Sequence, residues 1–168
     1  GWAPQRRKTD GIQRASDWTA GEIAQAVSGH LRGDPSRRLL GVATDTRDPL
    51  ADQLFVALVG EKHDAHEFLD NAVAGGATAL LVEAHRLTDA RIEALLPRAA
   101  LILVSDSTRA LGDLAQARRR RSKARVTALT GSNGKTTTKE MLAALLAVRH
   151  RVLKTQGNLN NLIGLPLT

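Results

Sequence analysis

Arg125-Val126-Thr127-Ala128-Leu129-Thr130-Gly131-Ser132-Asn133-Gly134-Lys135-Thr136-Thr137 is the stretch on which the fold of this chain turns. Arg125 to Leu129 reads as a strand, and the two glycines read as a tight loop. Lys135 to Val148, with Met141, Leu142, Leu145 and Leu146, reads as a strongly apolar helix. Arg151 to Lys154 is expected to supply the next strand, giving a β-loop-α-β unit. A strand that turns through glycines into a helix start aims several backbone N–H groups at one point. Those unpaired donors and the helix dipole favour an anion there. Gly131 and Gly134 allow the tight turn and a close approach by phosphate oxygens. The expected ATP-binding set is Gly131, Ser132, Asn133, Gly134, Lys135, Thr136 and Thr137. Lys135 would reach the β- and γ-phosphates and is the candidate catalytic residue; the Thr136 hydroxyl is placed to ligate Mg²⁺.

The usual spacing G-x-x-x-x-G-K-[ST] requires glycine at position 129, where this chain has Leu129. What remains is the shorter G-x-x-G-K-T-T, which chance supplies more readily. The alternative reading is a glycine-rich turn before a helix, with Lys135 and the threonines merely facing solvent. A strand before the loop and a long apolar helix after it are the context that phosphate binding requires.

Upstream, strands and helices alternate. Thr19-Ala20-Gly21-Glu22 has the spacing of a capping box and predicts a short helix through Val27 that stops near Gly29. Leu39 to Ala43 and Leu54 to Val59 read as short buried strands. Asp64-Ala65-His66-Glu67 is a second capping-box pattern. Its helix would put Phe68, Leu69, Ala72 and Val73 on one side and end at Gly75-Gly76. Strand Thr78 to Val82, helix Asp89 to Leu96 and strand Ala100 to Val104 follow. A further helix is expected from Ser107 into Arg118-Arg119-Arg120-Arg121. This order predicts an α/β protein with a largely parallel sheet. Residues 1–16 lack periodicity and read as a loose leader, residues 17–104 as a first domain, and residues 105–168 as the start of a second. One β-loop-α-β unit cannot cover both faces of a parallel sheet, so that second domain reads as truncated.

Composition narrows the classes. The 168 residues carry a formal charge of +7, which raises the prior for an anionic partner without selecting one. The arginine run is accounted for by a solvated helix end, where cations suit the negative pole. Nucleic acid is disfavoured because stacking aromatics are missing around the run. The absence of cysteine excludes a disulfide framework, a thiolate metal site and a cysteine nucleophile. No apolar run approaches the roughly 18 residues a membrane helix needs, so stable membrane insertion is not expected.

From Thr130 to Met141 the sequence resembles the Mur ligases, ATP-dependent enzymes that extend the UDP-linked muramyl peptide precursor of peptidoglycan. Their phosphate loop is the shortened kind, which accounts for Leu129. Lys139-Glu140-Met141 and Thr155-Gln156-Gly157-Asn158-Leu159-Asn160-Asn161-Leu162-Ile163-Gly164-Leu165-Pro166 are similar to the type that adds D-Ala-D-Ala. Asp45-Thr46-Arg47 stands where the family typically has Asp-Ser-Arg. Gly60 to Phe68 resembles its G-x-x-x-D-G-H-x-F segment, with Ala65 in place of glycine.

The resemblance implies a small N-terminal α/β domain holding the UDP-sugar peptide, followed by the start of a P-loop parallel-sheet ATPase domain. It implies ATP and Mg²⁺ as cofactors and UDP-N-acetylmuramoyl-tripeptide and D-Ala-D-Ala as substrates. A cytoplasmic monomer is expected. By position in the family motifs, Asp45, Thr46, Arg47 and His66 are candidates for the UDP-muramyl site, and Asn158, Asn160 and Asn161 for a site facing substrate or metal-bound phosphate. Other readings stay open: Asp45 and Arg47 could simply pair at a strand end, His66 could serve the helix start, and the asparagines could be loop formers. The family's further Mg²⁺ ligands and the lysine it carbamylates would fall beyond Thr168, so these residues alone are not expected to be a competent ligase.

Overall fold

The computed structural model describes residues 18–60, 63–155 and 162–167. The leader expected over residues 1–16 lies outside them. The chain divides into two compact units, Gly1–Leu111 and Gly112–Thr168.

The first unit is built on a five-stranded sheet. Strands β4 (Gly41–Ala43), β5 (Gln53–Val56), β6 (Ala79–Glu83) and β7 (Ala100–Val104) run parallel, and β2 (His30–Arg32) joins β7 antiparallel. The order across the sheet is β2-β7-β6-β5-β4. Every residue of β6 is buried, from Ala79 to Glu83. A continuous apolar run is what a central parallel strand needs when both its faces are covered. Helices α2 (Leu69–Ala74) and α3 (Asp89–Leu95) contribute Leu69, Ala72 and Leu95 to one core cluster, with Phe55, Leu80, Val82 and Leu101 from the strands. Burial of one such leucine stabilises the fold by about 1.5–3 kcal/mol.

Helix α1 (Ala20–Ala26) opens on the expected capping box. The Glu22 N–H donates to Thr19 Oγ1 at 3.2 Å, and the Thr19 N–H donates to Glu22 Oε2 at 2.9 Å. Before it, β1 (Trp18–Thr19) pairs antiparallel with β3 (Arg38–Leu39) in a small two-stranded sheet. Helix α4 (Ser107–Arg121) contains the division between the units and ends in the four arginines. In the second unit, α5 (Lys135–Ala147) follows the glycine loop as expected.

Several expected elements differ. The strand read over Leu39 to Ala43 is two strands in two sheets, β3 and β4. Leu40 stands exposed between them, its N–H donating to the Asp52 carbonyl at 2.8 Å. The helix read from Asp64 begins instead as a 3₁₀ turn over Ala65–Phe68: the Glu67 N–H closes on the Asp64 carbonyl three residues back at 3.2 Å, and the Asp64 carboxylate accepts from the His66 N–H, not from that of Glu67. Strand β2 has no counterpart in the sequence reading. Arg125 to Leu129 and Arg151 to Lys154 are not strands, and neither has a ladder partner among the described residues. A segment with no neighbouring strand to share a ladder does not become one. Val126, Met141 and Leu145 stand exposed, and within α5 only Ala143 is buried.

Candidate functional site

Gly134 adopts φ 75°, ψ −2°, the left-handed region, and is the residue from which α5 starts. An L side chain there is disfavoured by about 1–2 kcal/mol. A Cβ on Gly134 meets nothing within 4 Å, so the demand is conformational and not one of crowding. The Thr138 N–H closes on the Gly134 carbonyl at 2.9 Å. The N–H groups of Lys135, Thr136 and Thr137 are thus the open donors that every helix start carries. Lys135 Nζ donates to the Gly131 carbonyl, which draws the ammonium across the loop it follows. The first turn of α5 holds no acidic residue, and Gly131 to Thr138 are exposed. Open N–H donors, a positive helix end and a poised ammonium form a seat for a phosphate chain.

The fit to Mg²⁺ rests on the donors present. Among the described residues no group of three or more His, Cys, Asp and Glu could hold a metal ion. The Thr136 hydroxyl in the first turn is a hard oxygen donor beside the phosphate seat. One protein oxygen plus phosphate oxygens and water is a set that Mg²⁺ accepts and softer metals do not favour.

One hydrogen bond and one ion pair tie α5 to the segment after it. Lys139 Nζ donates to the Thr155 carbonyl at 2.7 Å, and Lys154 pairs with Glu140, holding the Glu140 carboxyl below its usual range. This fixes residues 151–155 beside the helix that carries Lys135. Asn158, Asn160 and Asn161 lie outside the described residues.

The remaining expected residues sit at the C-terminal edge of the parallel strands, where open α/β sheets take their ligands. Asp45, Thr46 and Arg47 follow β4. Arg47 Nε donates to both Asp45 oxygens at 2.9 and 3.0 Å, and Nη2 adds a third bond at 2.5 Å. The bonds from Arg47 pull the Asp45 carboxyl down to about 2. The Arg47 side chain is nonetheless 88% exposed, so the guanidinium is presented to solvent and held in one orientation. Thr46 lines a shallow hollow of about 500 Å³ together with Asp70, Asn71, Ala74 and Arg98.

His66 behaves differently. Its side chain is only 6% exposed, and both ring nitrogens are used internally. Nε2 accepts from the Glu83 N–H at 2.9 Å, which leaves the ring proton on Nδ1, bonded to Asp64 at 2.6 Å. Arg86 then joins the carboxylates, with Nη1 on Asp64 and Nε on Glu83, each at 2.8 Å. Glu83 also accepts from the N–H and the hydroxyl of Ser107, both at 3.0 Å, at the first residue of α4. Burial works to raise both carboxyls. The His66 and Arg86 bonds outweigh it at Asp64, and the Ser107 and Arg86 bonds outweigh it at Glu83, so both lie below their ordinary values. Sequence reading missed Glu83, Arg86 and Ser107. The available signal was a carboxylate closing an otherwise apolar strand.

Residues 129–168 match the Mur ligase middle domain. The chain is 46% identical over 150 residues to the UDP-N-acetylmuramoyl-tripeptide–D-alanyl-D-alanine ligase of Escherichia coli, covering 89% of this chain and 31% of that protein. This chain belongs to the Mur ligase family. The Bacillus subtilis enzyme of the same name is 43% identical over 152 residues, 89% of this chain and 32% of the relative. The chain therefore spans about a third of the length of the curated Mur ligases it matches. Among solved structures, MurF from Acinetobacter baumannii superposes with a TM-score of 0.76 at 39% identity, over 89% of this chain and 32% of its own. MurF from Thermotoga maritima in complex with ADP gives 0.63 at 35% identity, over 75% of this chain and 27% of its own. The mixed α/β fold with its parallel sheet is thus that of the MurF branch.

Proposed function

We propose that this Mur ligase is an ATP-dependent amide-bond-forming enzyme that joins D-Ala-D-Ala to UDP-N-acetylmuramoyl-tripeptide. The observation that carries the reading is the loop at Gly131 to Thr137: left-handed Gly134, open helix donors and Lys135 form a phosphate seat in a chain 46% identical to a ligase of that name. In the proposed reaction a carboxylate oxygen of the UDP-linked peptide attacks the γ-phosphorus of ATP and ADP leaves, giving an acyl phosphate. The free amine of D-Ala-D-Ala then attacks the acyl carbon. Phosphate departs, the nitrogen loses its proton and the amide forms.

The protein's part is positioning and charge neutralisation. Lys135 and the first N–H groups of α5 bind the terminal phosphates and offset the charge that builds on them. Thr136 would hold Mg²⁺, which when bound supplies further neutralisation of the phosphate oxygens. Asp45 orients Arg47, and Arg47 together with Thr46 faces the UDP-muramyl substrate; Asn158, Asn160 and Asn161 are assigned to the same ligands. We assign residues 17–104 to the substrate domain, residues 105–168 to the ATP-binding domain, and the protein to the cytoplasm as a monomer acting on small molecules, not nucleic acid.

Calorimetry on the 168-residue chain tests the reading. MgADP and UDP-N-acetylmuramoyl-tripeptide should each bind, the first weakened by Lys135→Ala and the second by Arg47→Ala. Binding of neither ligand, or binding indifferent to both substitutions, sinks it.

A further inference from the structure

At the C-terminal edge of the sheet, loops from three successive strands meet in one closed polar circuit. Asp64 and His66 follow β5, Glu83 and Arg86 close β6, and Ser107 follows β7. The circuit runs from Asp64 to the His66 ring, from that ring to the Glu83 N–H, from the Glu83 carboxylate to Arg86, and from Arg86 back to Asp64, each link between 2.6 and 2.9 Å. The Glu83 carboxylate also takes the N–H and hydroxyl of Ser107, so the start of α4 is tied to the same circuit.

Two consequences follow. The N-terminus of α4 would otherwise be a seat for a phosphate; Glu83 already occupies it with an internal anion. We therefore assign the phosphates of a UDP-linked ligand to a cation outside the circuit, Arg47, which follows β4 at the same edge and is exposed. Second, Arg86 is the only cation bonded to both Asp64 and Glu83 among the described residues, so removing it cuts the ionic link between the loops after β5 and β6 and leaves Asp64 held by His66 alone and Glu83 by Ser107 and a 3.6 Å contact with His85.

We propose that Arg86, acting through Asp64, Glu83 and His66, is a positioning residue for the UDP-muramyl site, and that His66 belongs to this support and not to the ligand contacts. The proposal rests on the ligand reading given above. Its test is calorimetry on the whole 168-residue chain carrying Arg86→Met, which keeps the aliphatic stem and loses both ionic bonds. Affinity for UDP-N-acetylmuramoyl-tripeptide should fall at least tenfold, while affinity for MgADP stays within twofold. Arg86→Lys, able to reach one carboxylate at a time, should recover part of the loss.

Unchanged UDP-ligand affinity in Arg86→Met overturns the proposal, as does an equal loss of both ligands, which would mark general damage. Should Arg86→Met fail to fold, Glu83→Gln takes its place under the same two thresholds, since it keeps an acceptor for Ser107 and loses the charge facing Arg86. Failure of the unaltered chain to bind the UDP ligand would instead refute the ligand reading itself.

Discussion

The same substitution, glycine to alanine, should act with opposite sign at two places in this chain. Gly112 lies inside α4, and a Cβ added there meets nothing within 4 Å. Alanine at a helix interior is favoured over glycine by about 0.5–1 kcal/mol, because it restricts the unfolded chain and fits the helix. Gly112→Ala should therefore raise the melting temperature by about 4–8 °C per kcal/mol gained, the scale for a unit of this size. Gly134 also has open space for a Cβ, but its φ of 75° is left-handed. Alanine there is strained by about 1–2 kcal/mol.

That strain must appear somewhere. If the loop keeps its shape, stability falls by the full amount and nucleotide affinity is unaltered. If the free loop relaxes, the strain reappears on binding and MgADP affinity drops about five- to thirtyfold, since 1.4 kcal/mol is tenfold. The losses in the two measurements should thus add to about 1–2 kcal/mol. Urea unfolding followed by far-UV circular dichroism, paired with calorimetry for MgADP, reads both. No loss in either measurement refutes the left-handed requirement. A Gly112→Ala variant as destabilised as Gly134→Ala refutes the distinction between the two sites.

Other consequences are simpler to state. Leu80→Ala empties a fully buried position in β6 and should destabilise the first unit by about 2–5 kcal/mol in urea unfolding. Asp45 should titrate near 2 by NMR in the unaltered chain and return toward 3.8 in Arg47→Ala. Because its folded value is depressed, the stabilisation from this pair is complete above pH 3.8 and is lost as pH falls through about 2. Lys135→Ala removes a charge-assisted bond to phosphate, worth about 1.5–3 kcal/mol. MgADP affinity should fall at least tenfold by calorimetry with the melting temperature little changed, since Lys135 is exposed.

What could be read from the residues alone was what is local. The Thr19–Glu22 capping box, the start of α5 at Lys135 and the α/β alternation all depend on neighbours a few positions apart, and the structure has them where the spacing puts them. The shortened glycine loop was equally legible, because helix donors and glycine conformations are properties of that stretch itself. Tertiary structure decided what depends on distant partners. It split Leu39 to Ala43 between two sheets, added β2 to the edge of β7, and left Arg125 to Leu129 without a ladder among the described residues. It also turned His66 inward, through a bond to a residue 17 positions away, and tied Glu83 to Ser107 across 24. Apolar pattern encodes which side chains want burial, but not which strand lies beside which. A polar side chain in a motif shows that a bond is available; only the folded chain determines whether its partner is a ligand or the protein itself.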